Sequence, residues 1–294
     1  MTKPNATDDP APLELRETVN FWLTNRLPRN LLTRFMGWYS RLESPLLAKA
    51  SIAVWQRFVD DLALEEAEQR EFASLHACFV RRLKPDARPI DPDPNVLVSP
   101  CDAEIGALGR IEGRQLFQAK GLHYSLDELL GDTGQADAFE GGRFVTLRLK
   151  SSMYHRFHAP ARCRLAEVHY IAGEVFNVNP PTLRRLPGVF VRNERAVLSL
   201  DVADAGPVLT LVPVAAILVG SLRLGCLDTA LDRGYPGPNR IPCGADFERG
   251  EEMGWFEHGS TIIALARGGV RLHRGLHPGQ IIRVGQPLLV TGSG

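Results

Sequence analysis

Three places along the 294-residue chain carry side chains that can be combined into an activated nucleophile. Gly259-Ser260-Thr261 opens a run of strand-forming residues, Ser260 through Ala266. His155 and His158 lie in Tyr154-His155-Arg156-Phe157-His158-Ala159-Pro160, and Asp102 follows Ser99-Pro100-Cys101. A serine hydroxyl is a weak nucleophile at neutral pH. An imidazole that removes its proton, held in one tautomer by a carboxylate, makes it a competent one. A Gly-Ser pair alone is an ordinary turn, and Asp102 alone is an ordinary residue after a proline. Histidines three apart fall on opposite faces of a strand, so His155 and His158 with His169 make a poor metal-ligand set. No metal is expected. His123 has the composition of a structural residue, and His273 and His277 read as surface-turn residues.

These residues must be positioned by two textures of chain. From residue 13 to about 83 apolar side chains recur at helical spacing; Leu47, Ala50, Val54 and Phe58 share one face, and Pro28 and Pro45 punctuate the helices. A proline-rich join from Lys84 to Pro100, containing DPDPNVLVSP, excludes regular helix and favours extended chain. Beyond it come short runs separated by Gly and Pro: FVTLRLK, AVLSLDV, VLTLVPVAAILVG, STIIALA and QIIRVGQPLLV. Phe144, Thr146 and Arg148 alternate with Val145, Leu147 and Leu149, the period of a strand with one buried face. The expected fold is α+β. Residues 1–12 are expected to form a disordered N-terminus, 13–83 a helical segment, and 84–294 a β-rich catalytic domain.

Composition removes several function classes. Thirty-four basic residues balance 34 acidic ones, so a net basic footprint for nucleic acid is missing and no nucleic-acid partner is expected. Cys78, Cys101, Cys163, Cys226 and Cys243 are odd in number and form no CxxC pair, which argues against a disulfide framework or zinc ribbon and for a reducing compartment. The longest apolar run, Val212 to Val219, is interrupted by Pro213 and falls well short of the ~20 residues of a spanning helix. The polar, acidic start lacks a signal-peptide layout.

The balance of charge is locally uneven. Between Asn20 and Phe58, Arg26, Arg29, Arg34, Arg41, Lys49 and Arg57 face a single acid, Glu43; the segment carries +5 and the remainder −5. Phe21, Trp22, Phe35, Trp38, Tyr39 and Trp55 are interleaved with these bases. That mixture suits an anionic membrane surface, and it equally suits helices packed on their own domain with solvated arginines.

Taken in order, the motifs RPIDPDPNVLVSPCD, QAKGLHYSLDELL, YHRFHAP, FNVNP, VRNER, EEMGWFEHGSTII and IRVGQPL resemble those of the phosphatidylserine decarboxylase family, from about Leu31 to Leu289. The resemblance implies that the Gly259-Ser260 bond cuts itself and that Ser260 becomes a pyruvoyl group, the covalent cofactor. It implies a charge relay of Asp102 and His158 that activates Ser260, and places His155 at the decarboxylation step. The substrate it implies is phosphatidylserine, held as a Schiff base, losing carbon dioxide to give phosphatidylethanolamine. It further implies that the two chains of the cut protein stay associated, a homodimer, and peripheral attachment to the cytoplasmic side of the cell membrane.

Lysine usage speaks against the rival cofactor, pyridoxal phosphate: Lys3, Lys49, Lys84, Lys120 and Lys150 are the only lysines, and no phosphate-cradling glycine loop accompanies them. The chain departs from the family pattern at His258, where Leu is usual, and at Ala103, where Gly is usual. A titratable His258 beside the scissile bond bears on the rate or pH dependence of the cut. Two other readings stand beside this one: an uncut lipid-binding homologue, and a pyruvoyl enzyme for another serine-headgroup lipid or a soluble amine.

Overall fold

The computed structural model describes residues 29–291 apart from 60–61, 120, 132–133, 204–205, 218–220, 233 and 258–259, and the backbone alone at 29–34 and 206–208. The expected disordered N-terminus 1–12, the helical stretch 13–28 with Arg26, and both His258 and Gly259 therefore lie outside the described residues, as do the side chains of Arg29 and Arg34.

Two helices open the described chain, α1 (Arg29–Ser40) and α2 (Pro45–Trp55). Ser44 caps α2 by accepting a hydrogen bond from Leu47 N at 3.4 Å. Pro45 occupies the first turn, where its missing N–H forfeits no helical bond. After Trp55 the expected helix breaks up. A 3-10 turn at Leu64–Glu66 and a short helix α3 (Leu75–Phe79), capped by Ser74, are the helical pieces that remain. The buried residues Leu62, Ala67 and Phe72 are five apart, a spacing that makes no helical stripe. They join Ile52 and Cys78 in a small core of their own, and Ala67 bridges back to Leu83.

Sixteen strands follow among the described residues. The first eight are β1 (Val96–Val98), β2 (Ala103–Arg110), β3 (Gln115–Ala119), β4 (Leu122–Ser125), β5 (Arg143–Leu149), β6 (Arg156–His158), β7 (Cys163–Ile171) and β8 (Arg195–Val202). The rest are β9 (Gly206–Ala215), β10 (Leu222–Leu224), β11 (Arg240–Phe247), β12 (Glu252–Phe256), β13 (Ser260–Ala266), β14 (Arg271–Leu272), β15 (Ile281–Ile282) and β16 (Pro287–Val290). The architecture is α+β and mostly strand. Eight strands form one antiparallel sheet in the order β11-β7-β8-β9-β13-β5-β2-β15, and β10-β12-β6 form a second, smaller sheet.

β13 matches the expected STIIALA strand, and all seven of its residues are buried between β9 and β5. β5 differs from expectation. Phe144, Val145, Thr146, Leu147 and Leu149 are all buried, because the strand lies inside the large sheet with both faces covered. QIIRVGQPLLV is not one strand but two, β15 and β16, parted at Gly285. Its φ of +86° and an approach to Pro89 O that would put a Cβ at 2.4 Å both demand glycine.

A disulfide joins Cys226 to Cys243, against the expectation of no disulfide. Their separation of 17 along the sequence hides a proximity that the sheet topology creates. Among the described residues, no helix is long and apolar enough to cross a membrane.

Candidate active site

Ser260 is the first residue of β13, paired with Leu149 on one side and Ala215 on the other. Its side chain is fully buried, and its Oγ makes no hydrogen bond among the described residues. An orphaned buried hydroxyl is costly, and such groups gather where chemistry is done. Just upstream, Gly254 lies between β10 and β6, where an added Cβ would stand 2.2 Å from Arg223 O; glycine lets the strand leading toward Ser260 pass there.

Ser260 borders a cavity of about 860 Å³. The helical segment supplies apolar walls, including Met36, Leu47, Ala50, Val54 and Phe58, so the one-faced stripe read from the sequence does share a surface. The β domain supplies polar ones: Lys150, Ser151, Ser152, Asn177 and Asn179. A cavity with both kinds of wall suits an amphipathic ligand.

His158 ends β6 and makes two side-chain hydrogen bonds. Nδ1 lies 2.9 Å from Gly250 O, and a carbonyl only accepts, so Nδ1 carries the hydrogen. In the neutral ring Nε2 is then the acceptor, and Tyr154 Oη donates to it at 3.0 Å. Burial, opposed by the Gly250 carbonyl and by Glu252 and Asp102, holds His158 below its ordinary value of 6.5. Burial also pushes the Tyr154 phenol up, which keeps it a donor.

Asp102 stands immediately before β2. Its carboxylate is held by Arg88, whose Nε reaches both oxygens at 3.0 Å and whose Nη2 reaches Oδ2 at 2.6 Å; Val284 N donates to Oδ1 at 2.9 Å. Arg88 also binds Glu66 at 2.7 Å, which ties Asp102 to the segment ahead of the β domain. Asp102 and His158 are brought close along the chain, since His158 N donates to Pro100 O at 2.7 Å. No hydrogen bond joins the Asp102 carboxylate to the His158 ring, or either of them to Ser260, among the described residues. The imidazole is held instead between Gly250 O and Tyr154.

His155 is fully buried, with Nδ1 2.7 Å from Met153 O and its ring centroid 4.0 Å from that of Phe79. Phe79 comes from α3 and also lines the cavity beside Ser260. Arg156, between the two histidines, binds Val80 O at 2.9 and 2.8 Å and Glu252 at 2.6 Å, which fixes α3 against β6 and β12.

Sequence reasoning missed Arg88, Tyr154 and Asn193. The amide of Asn193 accepts from Phe176 N at 2.9 Å and donates to Phe176 O at 2.9 Å and Ala215 O at 2.8 Å, which secures the 176–179 cavity wall to the strand residue paired with Ser260. All three sit inside motifs already singled out, but nothing local marks which member of a motif bears the contact. Of the other histidines, His123 packs edge-on to Phe117 at 5.6 Å, and His277 is exposed. No cluster of three His, Cys, Asp or Glu placed to hold a metal ion occurs among the described residues.

Residues 75–290 match the family model described as phosphatidylserine decarboxylase. The chain is 37% identical over 258 residues to a phosphatidylserine decarboxylase proenzyme of Shewanella baltica strain OS155, covering 85% of this chain and 88% of that one. It is 37% identical over 288 residues to the proenzyme of Erwinia tasmaniensis, covering 92% of this chain and 94% of that one. With the proenzyme of Sodalis glossinidius it shares 38% identity over 290 residues, 92% of this chain and 95% of that one. Matches of this extent and identity establish that the chain belongs to the phosphatidylserine decarboxylase family.

Proposed function

We propose that the chain decarboxylates phosphatidylserine to phosphatidylethanolamine after cutting itself between Gly259 and Ser260. One observation carries the reading: a buried, unbonded Ser260 hydroxyl at the start of a fully buried strand borders a cavity with polar and apolar walls. The same hydroxyl fits the pyruvoyl group, because the position requires no hydrogen bond from serine and opens onto the space a substrate would fill. Once formed from Ser260, that group supplies an electrophilic carbonyl that draws electrons from the carbon losing carbon dioxide.

The chain's own residues do the rest. His158 Nε2 takes the Ser260 hydroxyl proton as Oγ attacks the Gly259 carbonyl, and that proton passes to the Ser260 nitrogen as the Gly259-Ser260 C–N bond breaks; β-elimination then releases the Gly259 carboxylate, and water replaces the nitrogen as ammonia to leave the pyruvoyl group. Asp102, held by Arg88, acts on the protonated imidazole as a nearby negative charge rather than as a hydrogen-bond partner. His155, with its Nδ1 hydrogen given to Met153 O, exchanges protons at the decarboxylation step through Nε2. Lys150, Asn177 and Asn179 present polar groups to the headgroup, and the apolar wall takes the upper part of the acyl chains.

The site works at the cytoplasmic face of the cell membrane, docked peripherally through the 13–83 segment on anionic lipid. Five of the seven exposed large hydrophobic side chains among the described residues, Phe35, Trp38, Leu46, Val54 and Phe58, lie in that segment. Such a concentration supports contact with lipid. A homodimer of cut, still-associated chains completes the reading.

Intact-mass measurement of the purified protein tests it: chains 1–259 and 260–294 are expected, the latter blocked at its amino end, with Ser260→Ala remaining whole. Carbon dioxide release from phosphatidylserine vesicles tests the substrate. A wild-type chain that stays uncut overturns the enzyme reading; a cut chain inert on phosphatidylserine overturns the substrate alone.

A further inference from the structure

We propose that Arg41 and Glu257 form a clasp that positions the bond to be cut, making the end of α1 part of the maturation machinery. The inference rests on self-cleavage at Gly259-Ser260.

Glu257 is the last described residue before the cut, between β12 and β13. Its side chain is only 7% exposed, so its carboxylate requires partners. Arg41 Nη2 donates to Oε2 across 216 residues of sequence, and Arg223 Nε stands 3.6 Å from Oε1. Arg41 follows α1 directly, and its Nη1 also binds Gly37 O at 3.2 Å, so the guanidinium links the end of that helix to Glu257.

The topology makes this contact mechanically effective. β12 belongs to the small sheet and β13 to the large one, and only residues 257–259 connect them. At the far end Ser260 is fixed by Leu149 and Ala215. At the near end the backbone bond from Glu257 N to Ser221 O is 3.3 Å long, and the side chain is held chiefly by Arg41. Glu257 and Ser260, the described residues on either side of the bond, are thus both fixed, and fixing the ends of so short a connection favours close approach of the reacting groups, a restriction that contributes to rate. Release of Glu257 slackens one end. Arg41 acts through Glu257 and is a positioning residue. After the cut, Glu257 lies two residues from the new carboxyl terminus of the large chain, where Arg41 and Arg223 continue to hold it.

The test follows conversion of newly synthesised full-length precursor into two chains over time, for the wild type, Arg41→Gln, Glu257→Gln, the double variant and Arg41→Lys. Arg41 is half exposed, which moderates the pair. Each Gln substitution is expected to slow conversion roughly tenfold, the double variant no more than the slower single one, and Arg41→Lys to recover most of the rate. Arg57→Gln, in the same segment, is the control and should convert at the wild-type rate. Once matured, Glu257→Gln should keep wild-type kcat and KM, an outcome that general misfolding would not give. Wild-type rates in both single variants, or additive losses in the double variant, overturn the clasp while leaving self-cleavage intact. A wild-type precursor that never converts overturns both.

Discussion

Tyr154 donates its phenolic hydrogen to Nε2 of His158 across 3.0 Å, while Nδ1 of the same ring gives its hydrogen to Gly250 O. Both nitrogens are therefore engaged with the ring neutral, and burial favours that state further. Neutral imidazole is the basic form. The acid limb of self-cleavage is thus expected below the ordinary 6.5, because His158 is protonated only at lower pH. Tyr154→Phe removes the donor to the neutral ring, raises the His158 pKa and moves that limb to higher pH. Rates of precursor conversion between pH 5 and 8 check this; a limb that stays in place excludes the role.

The same shift predicts how stability varies with pH. His76, His158 and His169 are all held below 6.5, burial being the largest cause for each. Below that value the unfolded chain binds protons that the folded chain refuses. Stability is accordingly complete above about pH 6.5 and declines as pH falls toward the lowered folded values. Urea midpoints of the Ser260→Ala precursor should fall through this range, and His169→Gln should flatten part of the slope.

Arg88 and Asp102 are both nearly buried, with side chains 10% and 8% exposed. Removing the guanidinium leaves a buried carboxylate with Val284 N as its remaining partner. Arg88→Leu is therefore expected to cost roughly 3–5 kcal/mol, read as a lower urea midpoint in the Ser260→Ala background. A loss under ~1 kcal/mol would mean that Asp102 is adequately solvated without Arg88.

Phe35, Trp38 and Leu46 are 52%, 60% and 83% exposed. If they enter lipid, each contributes up to about 1.5–3 kcal/mol. Replacing all three by Ala should weaken co-sedimentation with anionic vesicles by at least about 100-fold, with little change in thermal stability. Unchanged vesicle binding accompanied by lost stability would assign these side chains to protein packing.

A cut before Ser260 would remove one peptide link and none of the β13 ladder, whose seven residues are buried between β5 and β9. The 260–294 chain should co-migrate with the large chain under native conditions and separate only in denaturant. Ile263→Ala, at a fully buried β13 position, should cost about 2–5 kcal/mol and lower the denaturant needed for separation.

Much of the architecture was legible because it is local. STIIALA reads as a strand and is one; Pro45, read as punctuation between helices, opens α2; DPDPNVLVSP excludes helix up to β1. The stripe of Leu47, Ala50, Val54 and Phe58 reads as one face and lines one cavity. Periodicity and turn chemistry act within a window of a few residues, so a linear reading captures them.

The sequence by itself determined most of the element types, the motif order that marks the family, and Ser260, His155, His158 and Asp102 as the candidates for its chemistry. Tertiary structure alone decided their partners. Asp102 meets Arg88 and Val284, His158 meets Gly250 92 residues away, Phe79 covers His155, Cys226 meets Cys243, and Arg41, read as one of several bases in a +5 segment, meets Glu257 216 residues away. Each of these contacts depends on which strands lie side by side. That choice is made by burying both faces of the central sheet at once, a condition on the whole chain that no local stretch of residues expresses.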